Sequence, residues 1–218
     1  MDEALHILSR YEELGIKRLW LTPHVMEEIP NTPAKLKERF AELQAAYTGS
    51  IELHLAAEYM LDSNLSKLLN NNNSPSSKRE HPQGEGVGNL LPIGTKGNHL
   101  LVETSYFNPP MRLHETLQCI KSMGYHPLLA HPERYMYMDN AEYRRLHGEG
   151  VKFQLNIASL AGGYGKTVKR KALWLLKERM YTVLGSDLHS EDAIELITGC
   201  RLGKQEVEQV EQLLHNCI

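Results

Sequence analysis

Short apolar runs alternate along the chain with amphipathic stretches of helical length. Strand-like runs lie at 17–24 (KRLWLTPH), 51–59 (IELHLAAEY), 99–106 (HLLVETSY), 126–133 (HPLLAHPE), 152–160 (KFQLNIASL) and 181–189 (YTVLGSDLH). Each is compact and dense in Leu, Ile, Val and aromatics, the composition of strands covered on both faces. Helical stretches fall between them at 2–14, 33–47, 112–123, 140–147 and 167–180, with two more expected at 191–198 and 205–215. Three helices run into a glycine and then a strand, at Gly15, Gly124 and Gly150. A glycine just past a helix end readily takes the left-handed cap conformation. Alternation of this kind predicts an α/β fold on a mostly parallel sheet. Six strands by themselves leave a barrel and an open doubly wound sheet both available.

One segment breaks the rhythm. Residues 70–89 (NNNNSPSSKREHPQGEGVGN) hold too few apolar groups to offset the entropy of ordering and are expected to form a flexible polar insertion carrying a solvated His81. The flanking stretches do not read as independent cores, so residues 1–218 are expected to form a single domain. The formal net charge of −3 gives no overall basic field for nucleic acid or an anionic membrane. No apolar run reaches the roughly 18 residues of a transmembrane helix, and the start MDEALHILSRYEELG carries no secretory pattern. Cys119, Cys200 and Cys217 lack CxxC spacing, which predicts free thiols in a reducing cytoplasm.

Candidate chemistry collects where the strands end. Five of the six strand-like segments close on groups able to bind metal: Thr22-Pro23-His24, Ala57-Glu58-Tyr59, Val102-Glu103-Thr104, Ala130-His131-Pro132-Glu133-Arg134 and Ser186-Asp187-Leu188-His189. The remaining one ends at the neutral Asn156. In parallel α/β folds the C-terminal strand ends converge on one face, so residues far apart in sequence meet around one cavity. His24, Glu58, Glu103, His131, Asp187 and His189 crowded there call for divalent cations, and a mixed N/O donor set does not choose among Zn, Fe and Mn. Taken singly, each has a plainer explanation: a loop histidine, the first exposed residue after an apolar run, or, for Asp187, a helix N-cap. Together, at equivalent positions, they favour a site. His6, His54, His114, His147 and His215 within elements, and His99 and His126 at strand starts, are assigned to packing or surface.

The segments TPH at 22–24, AAEY at 56–59, VETS at 102–105, AHPERY at 130–135 and SDLH at 186–189 resemble those of the PHP-superfamily tyrosine-protein phosphatases of capsule and exopolysaccharide synthesis. The resemblance implies a distorted (β/α)7 PHP-type barrel. It implies His24, Glu58, Glu103, His131, Asp187 and His189 as ligands of two or three divalent ions, manganese foremost, with Glu58 bridging. It implies Arg134 as the phosphate-binding residue and His189 as a proton donor to the leaving group. Metal-activated water would hydrolyse phosphotyrosine on the tail of a bacterial tyrosine kinase, in the cytoplasm, with no nucleic-acid partner and no stable membrane insertion.

The sequence departs from that pattern at its start. Members of the family open on a strand carrying His-x-His, and no His-x-His occurs anywhere in these 218 residues. The chain is therefore expected to be N-terminally truncated, its barrel lacking the first strand, rather than degenerate, and to have low phosphatase activity. Two further departures are the insertion after Glu58 and the run Ser190-Glu191-Asp192-Ala193, where relatives place another arginine. Competing readings are a PHP phosphoesterase acting on a small phosphate such as histidinol phosphate, a non-catalytic module binding the kinase tail or an assembly partner, and an amidohydrolase-like enzyme. The last commonly uses a strand-end lysine, which none of these segments carries.

Overall fold

A computed structural model describes residues 1–29, 31–72, 90–189 and 192–216. Helix α1 (Asp2–Glu13) leads through Gly15, at φ +81°, into strand β1 (Arg18–Leu21). There follow β2 (His24–Val25), α2 (Pro33–Ala46), β3 (Glu52–Leu55), β4 (Glu58–Met60) and α3 (Ser63–Asn72). Beyond residue 89 come β5 (His99–Glu103), α4 (Leu113–Ser122), β6 (His126–Ala130), a 3-10 turn (Pro132–Arg134), α5 (Asn140–Gly148) and β7 (Lys152–Asn156). The chain continues through α6 (Ile157–Ala161), α7 (Gly165–Lys177), β8 (Tyr181–Gly185), α8 (Asp192–Thr198) and α9 (Lys204–His215). Gly124 and Gly150 take the same left-handed conformation as Gly15, as their place between helix and strand requires.

The strands form two parallel sheets, a pair β1-β3 and a six-stranded sheet in the order β2-β4-β5-β6-β7-β8. Two expected strands are each divided. The run 17–24 becomes β1 and β2 because Pro23 has no N–H to give a ladder. The run 51–59 becomes β3 and β4 because Ala57 N–H turns to the carbonyl of Leu91 while Ala56 N–H still bonds Leu21. The run expected at 152–160 stops at Asn156, whose side chain accepts from Ala158 N at 2.9 Å and starts α6. The run 181–189 stops at Gly185. Helix α3 was not anticipated; it takes residues 70–72 of the expected insertion, while 73–89, His81 included, lie outside the described residues.

Both faces of the sheet are apolar, which accounts for strands without alternation. Leu100 and Val102 of β5, Leu129 of β6 and Phe153 and Leu155 of β7 pack with Leu117, Ile120, Tyr143, Leu146, Ala172 and Leu175 from α4, α5 and α7. On the other face Leu101, Leu128, Ala130, Val183 and Ala56 form a second cluster with Trp20 against it. Glu103 shares the face of Leu101 by the strand period of two, so the second cluster floors whatever Glu103 faces. Cys119 and Cys200 are free thiols; Cys217 is outside the described residues. Among the described residues no helix is long and apolar enough to cross a membrane.

Candidate metal and phosphate site

The first residues of β2 and β4, just past the ends of β1 and β3, and the C-terminal ends of β5, β6 and β8 supply the site. His24 and Glu58 are register partners on β2 and β4, and Glu103 is the last residue of β5. His131 follows β6 and Asp187 follows β8. All six residues expected to bind metal meet here. His24 Nδ1 lies 3.0 Å from Glu103 Oε1 and 3.4 Å from Glu58 Oε2. His131 Nε2 lies 3.3 Å from Glu58 Oε1 and 3.6 Å from Glu103 Oε2. Glu58 thus turns one oxygen to each histidine. His189 Nε2 lies 3.0 Å from His24 Nε2, and its Nδ1 lies 3.0 Å from the carbonyl oxygen of Asp187. Three groups, His24–Asp187–His189, His24–Glu58–Glu103 and Glu58–His131–Asp187, each bring one donor atom per residue within 4.8 Å of one another.

The backbone is held out of its usual range at two of these positions. His131 has φ +34° and Asp187 φ +48°, left-handed values for residues with a Cβ. Such conformations cost about 1–3 kcal/mol each and persist only where surrounding structure fixes them. Here the fixing is visible. Glu133, fully buried, accepts from Asn156 N at 3.0 Å and from Tyr181 hydroxyl at 2.9 Å. Asn156 Nδ2 in turn donates to Asp187 Oδ2 at 3.1 Å. Tyr135 donates its hydroxyl to the Ala130 carbonyl and receives Thr104 N–H, tying β5 to the turn after β6.

The donor set fits divalent cations. His24 Nδ1, Glu103 Oε1 and both ring nitrogens of His131 are buried without a well-directed hydrogen bond, a condition that native proteins rarely leave uncompensated. With Nδ1 of His24 facing Glu103 and Nδ1 of His189 facing a carbonyl, the two facing Nε2 atoms both present lone pairs. A proton or a cation between them removes that conflict. The His24 imidazole is held above its ordinary pKa by Glu103 first, with Glu58 and Asp187 adding to it against burial. Burial alone would push His131 down; Glu58 beside it outweighs burial and the net shift is upward.

Arg134 closes the site from the 3-10 turn. Its guanidinium pairs with Asp187 Oδ2. The carbon of the same group lies 4.3 Å from the ring centroid of Tyr106 and 4.1 Å from that of Tyr164. Both stand in loops: Tyr106 closes the run expected as a strand at 99–106, which ends at Glu103, and Tyr164 left no periodic or motif signal in the sequence. Glu133 was legible only as a letter of AHPERY, and its place in the core comes from the turn that follows β6. Of the segment 190–193, Ser190 and Glu191 lie outside the described residues.

Comparison with known proteins agrees with this geometry. A family model described as capsular polysaccharide synthesis, CpsB/CapC, matches residues 88–200. Tyrosine-protein phosphatase CpsB of Streptococcus pneumoniae is 25% identical over 205 residues, 88% of this chain and 76% of that protein. Tyrosine-protein phosphatase YwqE of Bacillus subtilis strain 168 is 27% identical over 136 residues, 54% of this chain and 52% of that protein. Among solved structures, a chain from the study of YwqE and CpsB as metal-dependent tyrosine phosphatases superposes with a TM-score of 0.73. It is 19% identical and covers 100% of this chain and 88% of its own.

Proposed function

Because the chain belongs to the CpsB/CapC family of capsular polysaccharide synthesis, we propose that it is a metal-dependent protein-tyrosine phosphatase acting in that synthesis. The observation that carries this reading is the convergence of His24, Glu58, Glu103, His131, Asp187 and His189 on one mouth, with buried nitrogen and oxygen atoms left without a well-directed hydrogen bond. The two parallel sheets are read as one distorted PHP-type barrel lacking a first strand. Support comes from β8 and β1, which pair with no further strand among the described residues, and from Tyr11 of α1, whose hydroxyl bonds Ser186 Oγ at 2.6 Å across that side.

In this reading His24, Glu58, Glu103, His131, Asp187 and His189 would hold two or three divalent ions, manganese being the expected one. Such ions supply Lewis acidity and an activated water. The rest falls to the side chains. Arg134 offers a fork of N–H donors that matches phosphate oxygens and would stabilise charge on the transferring group. His189, with 63% of its side chain exposed, stands at the outer rim and, where its Nε2 is protonated and not taken up by metal, would protonate the departing tyrosyl oxygen. The apolar floor of Leu101, Leu128 and Ala130 keeps water from the inner side. The expected substrate is a phosphotyrosine tail of a bacterial tyrosine kinase in the cytoplasm.

The test is hydrolysis of a phosphotyrosyl peptide with manganese, beside a phosphoseryl peptide, histidinol phosphate and a chelator control. Turnover of the phosphotyrosyl peptide that the chelator abolishes supports the reading. Faster release from histidinol phosphate would move the chain to small phosphates, and no bound metal at millimolar manganese would leave only a binding module.

A further inference from the structure

Arg134 is held by more than its charge partner. A guanidinium is planar; it stacks on aromatic rings through its face and hydrogen-bonds through its edge. Here the guanidinium carbon lies over the rings of Tyr106 and Tyr164 at 4.3 and 4.1 Å, while an N–H meets Asp187. Both rings are themselves anchored. Tyr106 gives its carbonyl to Met136 N–H at 2.7 Å, joining its loop to the segment after the 3-10 turn, and its ring lies 5.8 Å from that of His131. Tyr164 receives Asn156 Nδ2 on its hydroxyl at 3.3 Å, the same amide that reaches Asp187. The arginine's side chain is only 14% exposed, so few rotamers remain to it.

Resting on the phosphatase reading, we propose that Tyr106 and Tyr164 are positioning residues for Arg134: their rings fix the guanidinium plane so that its edge donors face the phosphoryl oxygens. Removing a ring frees the long side chain to sample other rotamers, and the donors are then no longer aimed when phosphate arrives. Tyr106 also neighbours His131, and Tyr164 shares the Asn156 amide with Asp187, so the proposal requires that the rings' effect on phosphate disappear once Arg134 is removed.

The experiment is a double-mutant cycle on the full chain at saturating manganese, with inorganic phosphate titrated calorimetrically and kcat/KM measured on an aryl phosphate. Tyr106→Leu and Tyr164→Leu are each expected to weaken phosphate binding by roughly five- to thirtyfold. Tyr106→Phe, which keeps the ring, recovers most of the affinity. In an Arg134→Ala background each leucine substitution costs less than about twofold. Tyr164 is 37% exposed, so its truncation leaves the core intact and its cycle decides should Tyr106→Leu fail to fold. Equal losses with and without Arg134, or no loss at all, overturn the proposal. A wild-type chain that binds phosphate and turns over aryl phosphate while the leucine variants behave normally removes this proposal alone. A wild type that does neither removes the phosphatase reading and this proposal with it.

Discussion

At the N-terminal end of the six-stranded sheet, His99 and His126 are register partners on β5 and β6, their ring centroids 5.2 Å apart. Burial, His126 and the Lys152 ammonium push His99 down to about 4, and none of the causes acting on it among the described residues is a carboxylate. At the C-terminal end, His24 and His131 face Glu58, Glu103 and Asp187 and are shifted upward. The imidazole is thus held neutral at His99, at one end of the sheet, and surrounded by negative charge at the other. Only the second setting concentrates charge that a cation can neutralise. His114, on the outer helix α4, shows a third setting: its two nitrogens lie 2.8 and 3.3 Å from Glu142 and Glu149, so its partners are already in place.

The sharpest way to break that contrast is to exchange the two ends' histidines for inert groups. His131→Ala should lower manganese-dependent turnover at least about a hundredfold, beyond the 10- to 100-fold typical of outer-shell partners. His126→Gln should leave it within about twofold. Equal effects in a steady-state assay would erase the distinction. Next in size, Glu133→Leu strands Asn156 N–H and the Tyr181 hydroxyl in the core. It should destabilise by about 3 kcal/mol in urea unfolding, because buried groups left unpaired carry their full desolvation penalty. Manganese at a hundred times its Kd should stabilise the wild type by about 2.7 kcal/mol. That gain should vanish with chelator and in His131→Ala, and persist in His126→Gln.

The smallest effect belongs to His99. Its folded pKa lies below the unfolded value, so neutral His99 is favoured by folding; that contribution is whole above pH 6.5 and is lost as pH falls toward about 4. With the ring partly exposed and its charge partly screened, the wild type should lose about 1 kcal/mol more than His99→Gln between pH 7 and pH 5, measured by urea unfolding at each pH.

How much of this was legible depends on the kind of interaction. The alternation of strand and helix, and the glycines at 15, 124 and 150, are local consequences of periodicity and backbone freedom, and they stand in the structure where the pattern puts them. The six ligand-type residues were legible because a parallel α/β fold has one face where strand ends meet, so strand-end position in the sequence carries spatial meaning. The split of two strands at Pro23 and Ala57 was not, since hydropathy does not record which neighbour a backbone N–H will choose. Helix α6 was hidden because Asn156-Ile157-Ala158 reads equally as strand, and the capping bond from Ala158 N decides it.

Composition and spacing therefore determined by themselves the class of fold, the end at which chemistry gathers and the residue types it uses, because these follow from near-neighbour patterning and strand direction. Tertiary structure alone decided the left-handed backbone at His131 and Asp187, the buried Glu133 that braces Asn156, and the stacking of Tyr106 and Tyr164 on Arg134. Those are contacts between loops distant along the chain, fixed by packing that no local pattern encodes.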